Sequence, residues 1–159
     1  AYAHEVTERY DENLCLQSIE STTQTRSKKT NLKGERTAAG FAVTSAGAGE
    51  TTELNIDCLS TFAYWTPKLL TQTQLLNGQD GRLMQVTISP VSQNNVEPAA
   101  AKSYRLTADS LDLILHYSHE GRWVGLESEL PAGRRLVYKL EAYQNLSGFE
   151  RTAAVSPSQ

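Results

Sequence analysis

The segment His116-Tyr117-Ser118-His119-Glu120 puts two imidazoles, a hydroxyl and a carboxylate within five residues. Such a set can hold a metal ion or move protons. On a strand, residues three apart point to opposite faces, so the two histidines share one ion only if a turn lies between them. The zinc-protease spacings are absent, and a solvated hairpin end accounts for the same residues. His4, the third histidine, stands far from both in the chain. Glu127 and Glu129 follow Trp123 at strand alternation and share one face, roughly 7 Å apart by strand rise. Paired carboxylates beside an aromatic run glycoside hydrolysis at the right separation; an exposed strand carries Glu for solubility alone. Ser60 and Ser118 have no neighbouring base, and no Gly-x-Ser-x-Gly elbow occurs. Gly78 and Gly81 read as a hairpin, not a phosphate loop. No catalytic residue, metal ligand or cofactor is assigned on these grounds.

A second candidate is aromatic. Cys58 to Leu76 gathers Phe62, Tyr64 and Trp65 just ahead of Leu69. Three readings stand for these four side chains. They plug the end of a barrel as core, with polar tips satisfied. They line or gate an apolar cavity. Or they form an exposed patch that docks a protein partner.

The elements that would position these groups are mostly strands. Loose alternation from Tyr2 to Tyr10 puts Tyr2, His4, Val6 and Glu8 on one face. A turn at Asp11-Glu12-Asn13 leads into a long Ser/Thr-rich strand from Leu14 to Arg26. Lys28 to Asn31 turns the chain, Leu32 to Thr37 returns, and Phe41 to Thr44 continues. Ser45 to Glu50 is a loop by composition, and Thr51 to Ile56 is a short strand. Leu59, Phe62, Ala63 and Thr66 then recur at helical spacing, and Thr66-Pro67 reads as a second helix start. The expectation is a short helix, a break and a second helical turn, all near residues 58–71. Gln72 to Asn77 pairs with Arg82 to Val91 across Gly78-Gln-Asp-Gly81, with Pro90 marking a strand end or edge. Strands are expected at 103–107, 111–117, 122–130 and 134–143, and the last three, joined by two tight turns, form a meander. The last of these sets Leu136, Tyr138, Leu140 and Ala142 on one face. The fold expected is all-β and antiparallel, a curved sheet or incomplete barrel.

Composition narrows the function. At 159 residues the chain reads as one β domain over 1–144, followed by a polar, mobile tail over 145–159. The net charge of −3 and the pI near 5.6 argue against a nucleic-acid partner. The densest basic clusters, Arg26-Ser-Lys28-Lys29 and Arg134-Arg135, fall at predicted turns. No apolar run approaches the roughly 20 residues of a membrane helix, so no transmembrane segment is expected. The chain opens at Ala1 in a mid-strand pattern, which suggests that N-terminal strands precede it. Cys15 and Cys58 either pair, closing a loop of about 40 residues, or are two separate buried thiols. Asn145-Leu146-Ser147 is a formal glycosylation sequon, idle in a bacterium.

Read together, Cys58-x-Ser-x-Phe-Ala-Tyr-Trp-x-Pro-x-Leu-Leu through Leu76, Tyr104-Arg-Leu, Gly121-Arg-Trp123-Val-Gly-Leu-Glu-Ser and Gly133-Arg-Arg-Leu-Val-Tyr138 resemble an uncharacterised family of exported bacterial proteins, a domain of unknown function. The opening Tyr2-x-His4-Glu5 fits as well, so the likeness runs to about Leu140. It implies an extracytoplasmic antiparallel β domain similar to open barrels of lipoprotein carriers, with further strands ahead of Ala1. It also implies that Cys15 and Cys58 pair, which places the protein in an oxidising compartment, the periplasm or cell envelope. It carries no functional residue over. The expectation is a non-enzymatic accessory or binding protein, either a subunit of an envelope assembly or a carrier of an apolar small molecule. A hydrolase of saccharide or lipid using Glu127, Glu129, His116 or His119, and a purely structural domain, are the alternatives.

Overall fold

A computed structural model describes residues 2–46, 49–92, 102–129, 135–139 and 150–155. Thirteen strands are assigned there: β1 (Ala3–Tyr10), β2 (Leu16–Gln24), β3 (Lys29–Thr37), β4 (Gly40–Ala46), β5 (Thr51–Leu54), β6 (Gln74–Leu76), β7 (Leu83–Gln85), β8 (Thr87–Val91), β9 (Lys102–Ala108), β10 (Leu111–Tyr117), β11 (Trp123–Glu129), β12 (Arg135–Lys139) and β13 (Glu150–Val155). One six-stranded sheet runs β13-β1-β2-β3-β4-β5 and one five-stranded sheet runs β12-β11-β10-β9-β8. Their strands pair antiparallel throughout, and neither sheet closes into a barrel. The chain divides into two compact units. Residues 1–62, 76–83 and 146–159 form the first, and residues 63–75 and 84–145 the second. The small β6-β7 sheet lies where the chain passes from one unit to the other and back.

In the first unit, alternation sets the inner face. His4, Glu8 and Tyr10 are buried while Ala3, Glu5 and Arg9 are exposed, as the period of two requires. Leu16 and Ile19 of β2 are both fully buried although three residues apart. The register slips between Arg9 and Tyr10, so Leu16 faces Tyr10 while Ser18 faces Arg9. That bulge turns Leu16 inward despite its odd spacing. Leu32, Phe41, Val43, Leu59 and Leu76 are buried in the same unit.

Gly34 sits opposite Val43, next to Phe41 on the neighbouring strand, because the core needs the space. A Cβ there would lie 2.5 Å from Phe41 Cε1 and 2.8 Å from Ile19 Cγ2. Phe41 is 1% exposed and has nowhere to yield. Gly34→Ala is therefore expected to cost about 1–3 kcal/mol by overpacking. A lowered urea midpoint with an unchanged slope would show it, and an unchanged midpoint would mean that the core can shift around the methyl group.

The Gly78–Gly81 hairpin forms as read. Asn77 N–H donates to Arg82 O at 2.8 Å, and Gly81 takes a positive φ of 75° that a side chain resists. The second strand of that hairpin does not run unbroken to Val91. It divides at Val86 into β7, which pairs with β6, and β8, which pairs with β9 at the sheet edge and carries Pro90. Val86 N–H donates to Thr73 O at 2.9 Å.

The helical expectation is half corrected. Only Pro67–Thr71 is helical, a single 3-10 turn, with Thr66 Oγ1 accepting from Lys68 N–H and Pro67 at the first position. Residues 58–66 are bends and turns. Thr66 N–H donates to Ala63 O at 3.1 Å within the segment, but the carbonyls ahead of it bond to strands. Leu16 N–H donates to Leu59 O at 2.7 Å, Leu76 N–H donates to Ser60 O at 2.9 Å, and Thr61 bridges Leu76 in parallel. A helix would have used those carbonyls internally. The polar end of the chain supplies β13, which pairs with β1 over six residue pairs. Leu140 and Ala142 of the last predicted strand lie outside the described residues, as do Arg134 and the sequon.

Candidate functional site

The first cysteine is held by a local motif. Asp11 Oδ1 accepts from Asn13 N–H at 2.9 Å and Cys15 N–H at 3.0 Å, and Leu14 takes a left-handed φ of 61°. Arg36 clamps this turn, donating to Asp11 Oδ2 at 2.7 Å and to Leu16 O at 2.9 Å. Cys15 and Cys58 are joined by a disulfide across 43 residues, with Cα atoms 4.8 Å apart. The pairing option is the one the structure shows, and it fastens the start of the aromatic segment to the turn before β2.

The four aromatic-segment residues then part company. Phe62 is half-buried in the first unit. Tyr64, Trp65 and Leu69 belong to the second, where Leu69 is fully buried. Tyr64 packs on Trp123 with ring centroids 5.8 Å apart, and Tyr117 Oη donates to Tyr64 O at 2.9 Å. Tyr104 meets Tyr117 edge-on at 5.9 Å. Burial pushes the Tyr64 phenol up to about 12. Burial also raises Tyr117, followed by the charges Tyr64 and Tyr104 would carry. Both folded values exceed the unfolded 10, so their contribution is complete below pH 10 and is lost as pH rises through the folded values. The second unit is therefore expected to loosen between pH 10 and about 12. Tyrosinate absorbance rising together with a shift in Trp emission would report it; tyrosinate rising near pH 10 with emission unchanged would count against it.

The titratable residues read from the sequence also separate. His116 is 3% exposed near the end of β10, while His119 lies exposed at the hairpin tip. The sequence did not point to the partner that His116 finds. Ser103 Oγ and His116 Nδ1 are hydrogen-bonded at 2.8 Å, and His116 Nε2 is 3.9 Å from Glu127 Oε1. Hydroxyl, imidazole and carboxylate thus stand in the order used by nucleophilic hydrolases. Ser103, however, is only 2% exposed. The side chain of Glu129, the second carboxylate of the Glu127/Glu129 pair, lies outside the described residues. Among the described residues no group of three His, Cys, Asp or Glu side chains could hold a metal ion.

His4 lies in the first unit, its Nδ1 2.8 Å from Thr23 Oγ1, with its pKa lowered by burial. Beside it on β1 is a buried polar triangle. Tyr10 Oη donates to Glu8 Oε2 at 3.0 Å, Thr61 Oγ1 donates to Glu8 Oε1 at 2.7 Å, and the two hydroxyls are 3.0 Å apart. Burial, then the Glu8 charge, holds the Tyr10 phenol well above its usual range. This network ties Thr61 of the aromatic segment to β1.

The outer face of the same sheet is open. Thr7, Ser18, Glu20, Lys33, Glu35 and Thr44 are among the residues lining a trough of about 690 Å³. Glu20 and Lys33 pair across it at 3.7 Å. Its lining mixes hydroxyls, an amide and charges of both signs with Ile19, Gly34 and Ala42. A second groove is formed by Arg36 to Gly40, Glu53 and Asn55 to Asp57.

Ser103 was within reach of sequence reasoning. A tight turn at Asp109-Ser110 sets Ala108 opposite Leu111 and, by alternation, Ser103 opposite His116. Thr61 and Glu8 are 53 residues apart, and no local signal joins them. Among the described residues, no helix is long and apolar enough to cross a membrane.

Residues 1–141 match a family described as a domain of unknown function, DUF6134. No curated protein and no solved structure matches the chain.

Proposed function

We propose, from the premise that the chain belongs to this DUF6134 family, that it is a non-enzymatic binding or accessory protein working outside the cytoplasm. The disulfide supports the compartment, since such bonds persist where the surroundings oxidise. The finer placement, a bacterial periplasm or envelope assembly, rests on the sequence resemblance.

The observation that carries the binding role is the trough on the first sheet. It is accessible, and it offers hydroxyls, an amide and charges of both signs on a rigid scaffold. Such a lining suits an extended polar partner, a segment of another envelope protein, better than an apolar molecule. An apolar ligand would need the other reading, with the half-exposed Trp65 as its contact; the open sheets offer it no barrel lumen. A second reading is the hydrolase, favoured by the order Ser103, His116, Glu127. It requires a strand movement to bring the buried hydroxyl to substrate.

One experiment separates the two. Ser18→Arg and Thr44→Arg fill the trough without touching the inner face, and Ser103→Ala removes only the hydroxyl. Tested for rescue of a strain lacking the gene, the trough variants should fail and Ser103→Ala should succeed. The opposite result would remove the binding reading and establish the hydrolase.

A further inference from the structure

We propose that Asn77 is a site of spontaneous covalent modification, at which Gly78 N closes on the Asn77 side chain, expels ammonia and leaves aspartate and isoaspartate. Asn77-Gly78 is the one Asn-Gly pair in the sequence. Every other Asn precedes Leu, Ile, Val or Asn, whose side chains obstruct that ring closure. Glycine has no Cβ to stand in the way.

The turn arranges the reacting atoms. Gln79 N–H donates to Asn77 Oδ1 at 2.9 Å, which folds the side-chain amide back over the Gly78 peptide. The same N–H stabilises the charge that Oδ1 gains as Cγ is attacked. Asn77 N–H donates to Arg82 O and Gly81 N–H donates to Asn77 O, each at 2.8 Å, so the backbone around the amide is held. Gly78 N–H makes no hydrogen bond among the described residues. Asp80-Gly81, in the same turn, repeats the arrangement, with Asp80 Oδ1 accepting from Arg82 N–H at 2.8 Å. There, however, the attacking N–H is the one already given to Asn77 O. The turn therefore favours Asn77 over its neighbour.

The step balances with solvent alone. Hydroxide takes the Gly78 amide proton, the N–Cγ bond forms, and the Cγ–Nδ2 bond breaks as ammonia leaves. Water then opens the succinimide ring. Opening at Cγ gives aspartate. Opening at the main-chain carbonyl gives isoaspartate, in which the chain runs through Cγ and is one carbon longer.

The second product unlocks the hairpin. The carbonyl that accepts from Gly81 N–H leaves the chain as a carboxylate, and Asn77 and Arg82 lose their register. The inner side of the turn has no room for the extra carbon. Ser21 Oγ donates to Gly78 O, and a Cβ at Gly81 would already lie 2.8 Å from Leu32 Cδ1 and Val43 Cγ1. Either product also adds a negative charge to a chain of formal charge −3.

The test holds the full chain, disulfide closed, at mildly alkaline pH and maps its peptides over time by mass spectrometry. An isoaspartyl methyltransferase reads the isoaspartate. We expect the mass gain of deamidation at Asn77 about tenfold faster than at Asn13, Asn31 or Asn55, a barrier difference of about 1.4 kcal/mol. Isomerisation at Asp80 should lag behind it. Gly78→Ala should slow the reaction about tenfold. Its Cβ would meet Ile19 Cδ1 at 3.4 Å, an ordinary contact, so the fold should hold. The isoaspartate form should exchange its Gly81 amide faster while β2 and β3 keep their protection. An Asn77 that survives while Asp80 isomerises would overturn the proposal, as would a rate that Gly78→Ala leaves unchanged. An isoaspartate form whose Gly81 amide exchanges as before would overturn the unlocking.

Discussion

Replacing both Cys15 and Cys58 by Ser is expected to destabilise the first unit by about 4 kcal/mol, the loop-entropy value for a closure of this length. The bond spans 43 residues, which include all of β2 through β5, so the unfolded chain gains a great deal of freedom when it is cut. The anchors at either end stay in the folded state. Asp11 still bonds Cys15 N–H, and Leu16 N–H still bonds Leu59 O, so the loss lies mainly in the unfolded state. The two units can report separately. Trp65 and Trp123 both belong to the second unit, whereas β2 and β3 belong to the first. Amide exchange in β2 and β3 should accelerate at urea concentrations that leave Trp emission unchanged. A loss under 1 kcal/mol would contradict the entropic account, since strain or residual structure would then have to cancel it.

Strand alternation made the sheets legible. His4 and Glu8 share the inner face of β1 as read, Pro90 sits on an edge strand, and β10 and β11 pair across the turn predicted at His119-Glu120-Gly121. One failure has a clear physical cause. The helical spacing of Leu59, Phe62, Ala63 and Thr66 is real, but Leu59 and Ser60 give their carbonyls to Leu16 and Leu76, and tertiary pairing overrides a weak local period. The strand over β2 was legible, but not the bulge at Arg9/Tyr10 that turns both Leu16 and Ile19 inward, since a bulge leaves little trace in a single strand's pattern. The candidate sites were less legible for a related reason. Histidines and glutamates can be seen one at a time, but what each does depends on the residue opposite. His116 gains Ser103 through a hairpin register, a relation that can be counted from a turn. Glu8 gains Thr61 through the fold as a whole, where counting gives no help.

Glu8 also sets the other large effect, the loss of its two hydroxyl donors. Tyr10→Phe removes the bond to Oε2, and Thr61→Val removes the bond to Oε1 with almost no change of shape. Bonds to a charged group contribute about 1.5–3 kcal/mol each, and stripping a buried acceptor costs its desolvation as well. Each single variant is expected to lose about 2 kcal/mol and the double about 4 kcal/mol. Surface loss or a general packing defect could imitate that result, so the decisive variant is a third change. If the cost arises from a carboxylate left short of donors, then Glu8→Met added to the double variant should recover most of the stability, because a matched apolar set carries no such penalty. Were the triple variant less stable than the double, the remaining contacts of Glu8 would outweigh its desolvation. The triangle would then be a net contributor to stability even without its two hydroxyls. Chemical denaturation of the four proteins, followed by amide exchange in β1, decides between the two, and it also reports whether the aromatic segment stays fixed to β1 once Thr61 no longer bonds to it.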